Sequence, residues 1–371
     1  MRFILDNSLL LLAGTLTAMI WANLDLSSYG QVAHYLHFAA NDVGMVFFFA
    51  LAAKEVFEAT LPGGPLASPR QALSPLAAAV GGMVMPALIF VALVSASGPA
   101  ELVGGWAIPC ATDIAFSAMI ARLIFPAAHP AIPFLLLVAI ADDALGLVIL
   151  AVFYPSGPLS LPLLAGLMAA AVLLALWLKR RGTQSFWPYV IGPGALSWAA
   201  LYLGGFHPAL ALVPIMAFLP HAARDPGFFV DARPEARDAL SQFELVWKYP
   251  AQVALFFFGL VNAGVPLRAL EQGTWGLPIA TIIGKPIGVL LAAGAALAVG
   301  LHLPQRVGWR ELTVVGVIAA IGFSIGLFFS ASLLPPGQLR SETGMGVLLT
   351  LFAGPLAFLA ARLLGVGRFG R

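Results

Sequence analysis

The chain has 371 residues, of which 60% are hydrophobic and 10% charged, with a net charge of +2 and a mean hydropathy of +0.95. Such a composition excludes an ordinary soluble enzyme or binding domain and makes lipid the solvent of the fold, while the near-balanced charge gives no case for nucleic acid. The single cysteine, Cys110, excludes an internal disulfide.

A membrane-crossing helix needs roughly 20 apolar residues, and runs of about that length recur along the chain between Pro, Gly or charged residues. Twelve are predicted, over 7–22, 41–60, 73–97, 103–125, 131–154, 160–178, 187–203, 206–220, 241–264, 275–300, 311–334 and 342–364. The first follows Arg2, but Asp6 interrupts the basic region and WANLDLSS offers no small-residue cleavage site, so it is read as a helix and not as a signal peptide.

With twelve spans, one side of the membrane collects Arg2, Lys54, Arg70, Arg122, Lys179, Arg180, Arg181, Arg224, Arg233, Arg237, Lys248, Arg306, Arg310, Arg362, Arg368 and Arg371. The other side receives only Arg268 and Arg340. Cytoplasmic loops carry the excess of Lys and Arg, so both termini are expected in the cytoplasm of a multi-pass protein.

Setting the loop charges aside leaves Asp113, Asp142, Asp143 and Lys285 at membrane depth. An intramembrane charge costs at least about 2.5 kcal/mol and faces a partner or a water-filled cavity, so the set reads as a functional site. The alternative is a buried ion pair that only fixes helix packing. That role would require one acid, not three.

Adjacent Asp142 and Asp143 point about 100° apart on a helix. One can face Lys285 and the other a cavity, or both can converge on one ion. Neighbouring carboxylates in a low dielectric compete for protons, which makes the pair a candidate proton carrier.

In GGWAIPCATDIAFSAMI, Pro109 falls mid-span and is followed by Thr112 and Asp113, both poor helix residues. A broken helix is expected, with Asp113 and Thr112 balancing the partial charges of its free ends; a simple proline kink is the alternative. IAFSAMI at 114–120 is echoed by IGFSIGL at 321–327. The two lie in the fourth and eleventh spans, which have opposite orientations, as an inverted repeat of units at about 73–154 and 275–364 within one 1–371 membrane domain would require. The fold class is thus an all-α polytopic membrane protein with inverted-topology repeats and two interrupted, crossing helices.

From about Asn41 to Leu364 the sequence resembles the NhaA-type sodium/proton antiporters, through NDVGMVFFFAL, PLASPRQALSPLAAAVGGMVMPALIF, ATDIAFS, AIADDALG, NAGV, GKPIG and IGFSIG in that order. The resemblance implies a secondary transporter of the bacterial inner membrane. It would exchange cytoplasmic Na+ or Li+ for external H+ in pH homeostasis, electrogenically at two protons per Na+, without a cofactor.

It further implies that Asp142 and Asp143 bind the metal ion (Na+) and protons. Lys285 would pair with Asp142 or carry a proton, and Asp113 with Thr112 would sit where the broken helices cross. Glu58, His207 and Glu244 resemble positions linked to pH regulation. Lys54 departs from the family, which usually carries Glu there. DLSSYGQVAHYLHFAAND is shorter than the β-hairpin through which relatives form a homodimer.

Two other functions share intramembrane acids. An intramembrane aspartyl protease needs two Asp on facing helices sharing a proton, and Asp113 with Asp143 would have to supply them. A cation channel uses rings of carbonyls or acids from repeated subunits. The three acids and one base suit competition between cation and proton better than either, and no enzymatic activity is expected.

Overall fold

The computed structural model describes residues 9–64, 66–221, 238–267, 271–304 and 306–370. Among them there are helices and no strand, as lipid demands of a chain that must satisfy its backbone within each segment. Of the charges placed in loops, Arg2, Arg224, Arg233, Arg237, Arg268 and Arg371 lie outside the described residues.

In chain order the helices are α1 (Leu9–Leu24), α2 (Leu26–His37), α3 (Met45–Ala59), α4 (Pro69–Ser97), α5 (Ile114–Ile124), α6 (Ala131–Phe153), α7 (Leu161–Arg180), α8 (Ala195–Gly204), α9 (Ala239–Asn262), α10 (Gln272–Ala298), α11 (Trp309–Ala319), α12 (Phe323–Leu333), α13 (Gln338–Leu349) and α14 (Ala353–Leu364). Every predicted span overlaps helical structure. Six helices are long and apolar enough to cross a bilayer alone, and two bent pairs raise this to eight among the described residues. Helix length by itself therefore does not yield twelve crossings.

Two segments differ from expectation. The second span was predicted to start at 41, yet helix runs from Leu26 through a π-helical turn, Phe38–Gly44, into α3. Asp25 explains the early start, because its carboxylate accepts from the backbone N–H groups of Ser27 and Ser28 as an N-cap. The eighth span, 206–220, is not one helix. It contains a 3-10 turn, Pro208–Leu210, and one short helical turn, Val213–Met216, for Pro208 and Pro214 remove N–H donors from so short a stretch.

Both interrupted helices are present. The 3-10 segments over 100–110 meet α5 at 51°, and α11 meets α12 at 47°. The order of helix, broken helix, helix thus occurs twice, as α4 to α6 and as α10 to α14.

Glycine sets how closely the frame packs. Gly81 of α4 and Gly288 of α10 lie so close that a Cβ on either would strike the other's backbone, and a Cβ on Gly284 would come 2.8 Å from Pro86. Small residues spaced by four let membrane helices approach at backbone distance. This contact carries Lys285 toward the breaks: a Cβ at Gly82 would lie 3.7 Å from the Lys285 Cδ.

Candidate functional site

Helix α6 is apolar on every face and largely enclosed, so both adjacent acids are buried in protein and do not face lipid. The 100° between them separates their environments. Asp142 Oδ2 lies 2.7 Å from the Lys285 ammonium and 2.6 Å from the Thr112 hydroxyl. Asp142 Oδ1 and Asp143 Oδ1 are buried without a protein hydrogen-bond partner. Buried polar oxygens are nearly always satisfied, and here each of the two neighbouring carboxylates keeps one acceptor that no protein donor uses.

Lys285 is fully buried, and its three N–H donors have three acceptors: Asp142 Oδ2, Thr112 Oγ1 at 2.6 Å and the Cys110 carbonyl at 2.6 Å. Cys110 ends the 3-10 segment before the first break, so the ammonium stands at a helical C-terminus, where positive charge is favourable. The Thr112 hydroxyl lies between two acceptors, Asp142 at 2.6 Å and the carbonyl of Ala319, the last residue of α11, at 3.0 Å. Its one proton can serve one of them at a time.

Asp113 does the complementary task at the N-terminal half-helices. Oδ1 accepts from Phe116 N–H in α5 at 3.1 Å, and Oδ2 from Ser324 N–H in α12 at 3.0 Å. Its own N–H donates to the Ile321 carbonyl, 2.6 Å away, which knits the two breaks together. Gly322 is required there: a Cβ would meet the Ala111 carbonyl oxygen at 2.7 Å. Ser117 adds a bond across the crossing to the Ile318 carbonyl at 3.2 Å.

The predicted residues therefore fall into groups. Thr112, Asp142 and Lys285 are in direct contact, and Asp143 and Asp113 adjoin them in the chain. Glu58 and Glu244 belong to a second cluster around Lys54. Lys54 corrects the sequence reading: counted there as a loop charge, it is 1% exposed, with its ammonium 2.7 Å from Glu58 and from Glu244 and 3.4 Å from Glu55. The side chain, one turn before the end of α3, enters the interface with α9 instead of reaching water, and the acids there compensate its desolvation.

His207 is engaged elsewhere. Its Nδ1 accepts from Ala209 N–H at 3.3 Å, its Nε2 lies 3.3 Å from Ser332 Oγ, and its ring packs edge-on to Phe328.

Three further features lie outside the predicted site residues. Asn41 and Asn262 exchange amide hydrogen bonds of 2.7 and 3.2 Å, and both lie in motifs already visible, NDVG and NAGV. Glu342, at the edge of the last span, is buried and accepts from Gly273 N–H at 3.1 Å. It borders a cavity of 440 Å³ with Pro99, Glu271 and Gly337. That cavity lies by the N-terminal end of α10, about 18 Å of helix rise from Lys285 at the helix middle, and is not part of the crossing. Thr350 bonds to Gly322 at the second break. Among the described residues no three His, Cys, Asp or Glu gather in a group that could hold a metal.

Residues 5–361 match the family model described as Na+/H+ antiporter 1. A protein named Na(+)/H(+) antiporter NhaA from Desulfitobacterium hafniense (strain DSM 10664 / DCB-2) is 43% identical over 375 residues, which cover 98% of this chain and 96% of the relative. Another of that name from Geotalea uraniireducens (strain Rf4) is 43% identical, over 98% of this chain and 97% of its own length. Among solved structures, the sodium proton antiporter MjNhaP1 from Methanocaldococcus jannaschii matches 97% of this chain and 92% of its own with a TM-score of 0.59; at 16% identity it speaks for the fold alone. A family match over nearly the whole length, together with relatives above 40% identity, places this chain in the Na+/H+ antiporter 1 family.

Proposed function

We propose that the protein exchanges Na+ for H+ across a membrane by alternating access, with Asp142 and Asp143 as the carriers. The observation that carries this reading is the unequal state of the two acids: Lys285 and Thr112 hold Asp142 through Oδ2, while Asp143 is buried outside that ion pair, and each keeps an unpartnered Oδ1. Carboxylate oxygens suit a hard cation such as Na+ or Li+ and equally suit protons, so the two compete for the same atoms.

In the proposed cycle a cation entering the pair displaces the proton of Asp143 and competes with the ammonium for Asp142. Thr112 can then turn its hydroxyl to the Ala319 carbonyl and leave Asp142 free. Lys285 keeps its bond to Cys110 and acts as a counter-charge, with Asp113 and Lys285 balancing the opposite ends of the broken helices. The site changes sides through relative movement of the two inverted units, 73–154 and 275–364, within one transporter domain. The two protons per Na+ that the family resemblance implies require Asp142 to be protonated as well in the cation-free state and to give up that second proton when the cation binds. With Lys285 a fixed counter-charge, two protons then cross for one Na+ and the exchange is electrogenic.

The family likeness and the charge distribution support an inner-membrane protein with both termini in the cytoplasm. Regulation by pH would engage Glu58, Glu244 and His207, the first two under the hold of Lys54. Homodimer formation rests on the resemblance alone. Asp113 gives both oxygens to backbone N–H groups, which removes it from the proton-sharing dyad an aspartyl protease would need.

The test is reconstitution in proteoliposomes. An imposed Na+ or Li+ gradient should drive H+ the opposite way, saturably, and an imposed voltage should alter the rate. Lys285→Arg keeps the positive charge but cannot release a proton at working pH. Voltage-sensitive exchange with wild-type stoichiometry in a folded Lys285→Arg protein supports the counter-charge role. Loss of voltage dependence assigns Lys285 a carried proton.

A further inference from the structure

The last membrane segment is continuous but tightens into a 3-10 turn beside the crossing. Helix α13 passes into a 3-10 turn, Thr350–Phe352, before α14 begins at Ala353. Thr350 is buried, and its hydroxyl donates to the Val347 carbonyl at 2.6 Å. The same oxygen accepts from the Gly322 N–H at 3.3 Å.

Gly322, seated against the Ala111 carbonyl, heads α12. Its N–H lies in a break, where no preceding turn supplies a carbonyl, so a side chain must satisfy it. Two residues on, the Ser324 N–H goes to Asp113. The start of α12 is thus held from two sides: Asp113 ties it to the first broken helix and Thr350 to the last membrane segment. A Cβ on Gly354, one turn past Thr350, would lie 3.5 Å from Ile120 of α5 and 4.0 Å from Ile321 at the break, so α14 packs on the same junction.

We propose that Thr350 is a positioning residue for ion exchange. Its hydroxyl couples the second helix break to the 3-10 turn of the last segment, so that α12 and α14 reorient together as the site changes sides. This rests on the antiporter reading. Thr350 touches neither Asp142 nor Asp143 through any of these bonds, so it should govern the rate of reorientation and leave cation affinity alone.

The test compares wild type, Thr350→Val and Thr350→Ser in proteoliposomes and, separately, by hydrogen exchange of the peptide spanning 320–326. Valine matches the shape but leaves a buried N–H unpaired, so maximal Na+-driven H+ flux should fall about tenfold. Half-saturating Na+ should stay within about twofold, and exchange at the break should quicken. Serine should restore both flux and protection.

Wild-type flux and protection in Thr350→Val would overturn the proposal. So would equal impairment of the valine and serine variants, which would mean packing and not the hydroxyl, or a rise of half-saturation in step with the lost rate. If wild type itself moves no protons, the antiporter reading fails, while hydrogen exchange still judges whether Thr350 holds the break.

Discussion

Asp113 joins two helices that are distant in sequence by accepting the Ser324 N–H at 3.0 Å while capping its own helix through Phe116 at 3.1 Å. One buried carboxylate therefore neutralises two helix N-termini, each worth roughly half a positive charge.

Removing that carboxylate strands two buried donors. Each unsatisfied group costs about 1–3 kcal/mol, so Asp113→Ala should lower thermal stability in detergent markedly. Asp113→Asn keeps one acceptor oxygen and should recover part of the loss. Equal melting temperatures for wild type and Asp113→Ala would show that the cap contributes nothing.

Lys54 gives a different prediction. Breaking a buried ion pair by deleting one partner costs about 3–5 kcal/mol, because the remaining charges are uncompensated. Lys54→Met should therefore destabilise more than Glu244→Gln, which leaves the ammonium paired with Glu58 2.7 Å away. The loss in the double variant should be smaller than the sum of the two single losses, since the residues are in contact. Strict additivity in thermal unfolding would contradict the coupling of α3 to α9.

The contact between α4 and α10 can be tested with the smallest change available. Gly288→Ala forces a Cβ into the backbone of Gly81, and overpacking of this kind costs about 1–3 kcal/mol. Gly166→Ala in α7 meets nothing within 4 Å and should be neutral or slightly stabilising, since alanine favours helix. If the two variants melt alike, close backbone approach does not set the position of Lys285.

Much of this was legible in the chain. Pro109 and the two poor helix formers after it marked the first break, and the IGFSIG echo marked the second, because a proline or glycine in a span leaves backbone groups that lipid cannot satisfy. The pairing of Lys285 with an acid followed from its isolation among apolar residues. Lys54 reads as a loop charge because a lysine near a span end ordinarily reaches water, and one of the acids that hold it inward, Glu244, is distant in sequence. Thr350 and the Asn41–Asn262 pair escaped because neutral polar residues in a helix carry no cost signal until their partners are known. Helical geometry alone leaves the division of labour between Asp142 and Asp143 open, since it separates adjacent residues without saying which one faces the lysine; the family resemblance is what points to Asp142.

The central claim is that Asp143, free of the lysine, exchanges a proton for the cation. Na+-driven H+ flux should be measured in proteoliposomes with wild type and Asp143→Asn at matched protein content. The amide neither takes up nor releases a proton at working pH, so exchange should vanish while the melting temperature in detergent stays near or above that of wild type, because no hydrogen bond to Asp143 Oδ1 is lost. Robust Na+/H+ exchange by folded Asp143→Asn would contradict the account.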